Sequence, residues 1–109
     1  MSSLWEERAA RNEALFREVN EQVRSISSDF DPGTRIVDFV CECSDDTCIE
    51  RLRVPLSVYE RVRSDSRQFI LKPGHETAIE RVISREDGFV VVEKEGTAGR
   101  IATQTDPRA

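Results

Sequence analysis

A chain of 109 residues, 38% hydrophobic and 34% charged, is long enough for one soluble domain with a modest core and too short for two. Its formal net charge of -5 argues against a nucleic-acid surface, which carries a basic excess. No run approaches the ~18 apolar residues of a membrane span, and "MSSLWEERAARNE" lacks the basic-then-apolar pattern of a secretory signal, so a cytoplasmic location with reduced thiols is expected.

Ser3 and Glu6 form a capping box, which predicts a helix over residues 3–27. Trp5, Ala9, Phe16, Val19, Val23 and Ile26 recur at helical spacing and form one apolar stripe, interrupted by Asn12. Such a helix is roughly 40 Å long, more than a small body covers. The half from Phe16 to Ile26 is therefore expected to pack on the core. Trp5 and Ala9 are expected to stay exposed and to meet a protein partner or a second copy. Asn12, inside the stripe, suits a residue that fixes register in a helix pair. "DFDPGT", Asp29 to Thr34, ends the helix with a turn.

"RIVDFVCEC" reads as a strand and "IERLRVPL" as its return, with Leu52, Val54 and Leu56 on one side and Arg51 and Arg53 on the other. Ser57 with Glu60 suggests a second capping box, opening a short helix with Val58, Tyr59 and Val62. "RQFILKPGHE" is a strand ending in a Pro-Gly turn. "ERVISRE-DG-FVVVEK" is a hairpin closed by Asp87-Gly88. Within it, residues 77–83 also fit a helical turn capped by Thr77 and Glu80, with Ile79, Val82 and Ile83 on one face. The expected fold is α+β: a long N-terminal amphipathic helix, a small antiparallel sheet with a zinc knuckle between two strands, a short second helix and a C-terminal hairpin. One zinc-stabilised domain covers residues 1–95, with its body at 35–95. Residues 96–109, "GTAGRIATQTDPRA", have little to bury and are expected to be a flexible tail.

"CECSDDTC" holds every cysteine of the chain. Cys41 and Cys43 leave one face of the strand end, and the polar turn "SDDT" can return Cys48 beside them. A closed zinc site takes four ligands, and His75, presented by the Pro73-Gly74 turn, is the only histidine. The expected metal ligands are Cys41, Cys43, Cys48 and His75, holding a structural zinc ion (Zn2+). Other uses of the thiols are a redox switch, an iron–sulfur cluster or inert burial. The C-x-C-x4-C spacing resembles the zinc knuckle of post-SET segments in protein methyltransferases, a likeness confined to these residues that implies a metal knuckle and nothing about methyl transfer. The segments "NEALFREVNEQV", "DFVCECSDDTCIERLRVPLSVYERVR", "RQFILKPGHE" and "GFVVVEK" together resemble a family of small, mostly actinobacterial proteins. That resemblance spans about Arg11 to Lys94 and implies one coherent domain without assigning a catalytic residue.

The leading functional expectation is a zinc-binding adaptor or regulatory protein, not an enzyme, acting through protein–protein contact. A zinc hydrolase is an alternative if His75 leaves the metal open, with Glu42, Asp45, Asp46 or Glu76 as the base. A nucleic-acid-binding knuckle is another, with Arg51, Arg53, Arg61, Arg63 and Arg67 as a local basic patch. Phe39 and Phe69 read as core.

Overall fold

Helix α1 spans Leu4–Ser27 without a glycine or proline, with Glu6 and Glu7 in its first turn and Arg24 in its last, where they complement the helix dipole. In this computed structural model, residues 4–27, 35–45, 47–78 and 80–108 are described, so Ser3 and the Asp29–Thr34 turn lie outside the described residues. Strand β1 (Ile36–Val40) pairs antiparallel with β2 (Arg51–Pro55), placing Val37 opposite Val54 and Phe39 opposite Leu52. Both strands alternate, so these four side chains go inward while Asp38, Arg51 and Arg53 face out. Strands β3 (Gln68–Leu71), β4 (Glu80–Arg85) and β5 (Val90–Lys94) form a second antiparallel sheet in the order β3-β5-β4. The architecture is the α+β one that the sequence predicts, with two small sheets where one was expected.

The core joins the two sheets. Phe39 and Tyr59 stack with ring centroids 4.1 Å apart, among Leu52, Val54, Leu56, Phe69, Ile70, Leu71 and Val92. Central strand β5 is buried along its length, which accounts for the unbroken "VVV" run. Residues 80–85 are strand, as the hairpin reading requires. Their entry keeps the local bonds that made a helical turn plausible: the Thr77 amide donates to Glu80 Oε1 at 2.8 Å and the Glu80 amide to Thr77 O at 3.3 Å. Gly88, at φ 87°, closes the hairpin in the left-handed region.

Three expectations need correction. Helix α2 (Leu56–Arg63) starts at Leu56 behind Pro55, with no side-chain cap, so Ser57 and Glu60 form no capping box. The Leu56 amide donates to Arg35 O at 2.8 Å, and the Glu60 carboxylate is drawn to Arg24 at 2.7 Å and Arg108 at 3.0 Å. Residues 96–104 are not a tail but helix α3 (Gly96–Gln104). Ala98, Ile101 and Ala102 lie on its inner side, Ala98 and Ile101 clustering with Ala10 of α1. Arg63, buried on α2, holds Asp106 just beyond it.

The third correction is the rotation of α1. Its buried face is Ala9, Ala10, Glu13, Arg17 and Asn20, while Val19 and Ile26 are 42% and 79% exposed and Ala9 only 4%. Trp5 is exposed, as expected. The reason is pairing. Glu13 meets Lys94 of β5, Arg17 Nη2 donates to Ala102 O at 2.7 Å, and Asn20 pairs with the Val40 backbone. Buried polar groups with partners are tolerated, so the polar stripe turns inward and several apolar residues turn out. Asn12 donates to Ser44 O at 3.1 Å, so it anchors the cysteine loop and not a second helix.

Candidate metal centre

The loop between β1 and β2 is closed at its base by the Cys41 amide, which donates to Glu50 O at 3.1 Å. Within it the Cys48 amide donates to Asp45 O at 3.1 Å, a turn that folds Cys48 back over the strand end. Asp45 also accepts the Thr47 amide and hydroxyl at 2.9 and 2.7 Å, which suits aspartate at the head of a tight turn. The second contribution comes after β3. The His75 amide donates to Lys72 O at 3.0 Å, and Gly74 sits at φ 93°, where a side chain would be strained.

These two turns bring Cys41, Cys43, Cys48 and His75 together, with all four ligand atoms within 4.8 Å of one another. His75 Nδ1 lies 3.7 Å from both Cys41 Sγ and Cys48 Sγ. All three thiols are free, Cys41 and Cys43 buried and Cys48 half-buried. The cluster can hold a metal ion. Burial pushes the Cys41 thiol well above the ordinary cysteine range, reinforced by Cys43 and Cys48 and opposed by the Lys72 amide, which donates to its sulfur at 3.1 Å. Burial raises Cys43 too. Buried thiols that resist ionising, as Cys41 and Cys43 do, are what a cation at the centre of the cluster reverses.

Glu42, between two of the cysteines, is fully buried. Its Oε1 accepts the Ile70 amide at 2.9 Å and its Oε2 accepts Asn20 Nδ2 at 2.7 Å, while its own amide donates to Ile70 O at 2.9 Å. Burial pushes its carboxyl up to about 7 against those bonds. Both oxygens are therefore engaged by α1 and β3, a supporting role that the sequence reading passed over in favour of a catalytic base. Strand alternation alone puts residue 42 on the face of Asp38, so its burial comes from α1 and β3 covering that side of the strand end, a contact no local signal announces. Of the other proposed bases, Asp45 is engaged in its turn, Glu76 accepts the Gly74 amide at 3.1 Å, and Asp46 lies outside the described residues.

The five arginines do not form one basic patch. Arg63 is buried against Asp106 and Glu21, and Arg67 lies near Asp65 and Glu93. Arg51 and Arg53 line an open cleft of about 580 Å³ whose other wall carries Glu86 and Asp87, acids that oppose a phosphate backbone. Among the described residues no helix is long and apolar enough to cross a membrane. The chain matches no family model, no curated protein and no solved structure. Its fold and site define a small α+β protein with a Cys3His cluster able to hold a metal ion.

Proposed function

We propose that this chain is a zinc protein in which the metal is structural and the function is binding another protein. The observation that carries the reading is the four-ligand cluster. Three thiolates and one imidazole are a closed structural set for zinc. With Zn–S near ~2.3 Å and Zn–N near ~2.1 Å, a tetrahedral site has an S···N edge of about 3.6 Å. The two edges at His75 Nδ1 are 3.7 Å. A site filled by four side chains has no position for a reacting water, which favours a staple over a hydrolase. The binding role is supported by α1, whose outer face exposes Leu4, Trp5, Leu15, Val19 and Ile26. A line of apolar side chains on one helix suits protein contact.

Zinc analysis of the purified chain tests the first half: about one equivalent per chain, lost in Cys48→Ser, with X-ray absorption reporting three sulfurs and one nitrogen. Zinc absent from chelator-free preparations overturns it. A photo-crosslinker at Val19 that traps a protein in the living cell, where one at Arg61 does not, tests the second half. Equal trapping at both positions removes the case for α1.

A further inference from the structure

The residues of α1 that are exposed in the fold are Leu4, Trp5, Arg8, Arg11, Leu15, Glu18, Val19, Gln22, Ser25 and Ile26. They recur every three or four positions and so form one face of the helix, a seam in which five of the ten side chains (Leu4, Trp5, Leu15, Val19 and Ile26) are large and apolar. The order of side chains along this seam has a symmetry of its own. Reversing the helix about Leu15 sets Leu15 on Leu15, Leu4 on Ile26 and Arg8 on Gln22. It also brings Arg11 within one residue, about 1.5 Å of axial rise, of Glu18. Neither Arg11 nor Glu18 has an ion-pair partner among the described residues of its own chain. A parallel pairing would instead lay Arg8 on Arg8, Arg11 on Arg11 and Glu18 on Glu18. Beside Leu15 lies a groove of about 230 Å³, lined by Arg11, Ala14, Leu15, Glu18 and Thr105, which can receive a leucine side chain from across the axis.

We propose that the partner of this face is a second copy of the chain, docked antiparallel through α1 about a two-fold axis at Leu15, with Arg11 of each copy paired to Glu18 of the other. This deepens the protein-binding reading above by naming the partner. The contact is isologous, each patch meeting its own image, as closed dimers require. Antiparallel polarity follows from charge. The arrangement that buries Leu15 and Ile26 also separates like charges and joins unlike ones.

The test uses the full chain with its metal, studied by sedimentation equilibrium at about 100 μM, with zinc measured in the same samples. The wild type is expected to be a dimer. Leu15→Lys is expected to weaken it about tenfold or more, while the melting temperature of samples diluted to monomer stays unchanged, because Leu15 is exposed on its own chain. Arg11→Glu alone and Glu18→Arg alone are each expected to weaken the dimer. Mixing those two variants is expected to restore it, since each mixed pair then carries one Glu–Arg and one Arg–Glu contact across the axis. A wild type that stays monomeric with zinc bound overturns the pairing and leaves the zinc reading standing. A dimer that survives Leu15→Lys, or a mixture that fails to restore association, overturns the proposed face or its polarity. A dimer without zinc supports the pairing and sinks the metal half of the proposed function.

Discussion

Asn20 does with one amide what a neighbouring strand would do with its backbone. Its Oδ1 accepts the Val40 amide and its Nδ2 donates to Val40 O, both at 2.8 Å, and Nδ2 also donates to Glu42 at 2.7 Å. Asn20→Ala leaves buried groups on Val40 and Glu42 without a partner, so a loss of about 2 kcal/mol is expected in urea denaturation. Because Val40 and Glu42 flank Cys41, the same variant is expected to release zinc more readily to a competing chelator. Asp106 is a second residue of this kind. Burial works to raise its carboxyl, but bonds from Ser66 and the Arg108 amide and the charge of Arg63 hold it below the usual aspartate range. A folded-state value below the unfolded one gives stability that is present above about pH 4 and lost as the pH falls through the folded value. Asp106→Asn is therefore expected to cost about 2 kcal/mol at neutral pH, and its deficit against the wild type should close below about pH 4. A deficit independent of pH in parallel urea titrations would contradict the assignment.

At the scale of the element, α1 and α3 were legible to different degrees. The existence of α1 was plain from its length and composition, but its rotation was not. Hydrophobic periodicity assumes that polar residues face water, whereas Glu13, Arg17 and Asn20 find partners far along the chain. Helix α3 was missed because glycines at 96 and 99 and two threonines weaken its propensity. What forms it is packing, with Gly99 so close to Lys94 O that an added Cβ would stand 2.9 Å from it. The strands and the gathering of the three thiols with His75 were legible, since alternation and closely spaced cysteines are local signals. Ala10, pressed against Ala98 and Ile101, gives the check on rotation. Ala10→Leu is expected to destabilise by about 1–3 kcal/mol through overpacking. Ile26→Gln, on the outer face, is expected to change the melting temperature by little in samples diluted to monomer. The opposite ranking would restore the stripe that periodicity alone suggests.

For the whole molecule, the Cys3His cluster lies where three elements meet. β1 supplies the strand end, the turn after β3 supplies His75, and α1 holds the loop through Asn12 and Asn20. Zinc that binds only the folded chain raises stability with its free concentration, by about 2.7 kcal/mol at a hundredfold excess over the dissociation constant. The melting temperature is therefore expected to rise with buffered free zinc and to fall on chelation. Near-ultraviolet signals from Tyr59, stacked on Phe39, should report the loss, while part of the helical far-ultraviolet signal remains. A melting temperature indifferent to free zinc would mean that the cluster contributes nothing to the fold.

The inward polar face of α1 also sets an order of events during synthesis. Glu13 is held by Lys94, 81 positions downstream, Arg17 by Ala102 at 85, and Glu21 by Arg108 at 87. On the ribosome α1 emerges well before the groups that neutralise its buried charges. Until they follow, the helix must wait in water with Glu13 and Arg17 solvated. Closure is thus deferred until residues 94–108 have cleared the exit tunnel, and this domain folds as a unit instead of stepwise from its first helix.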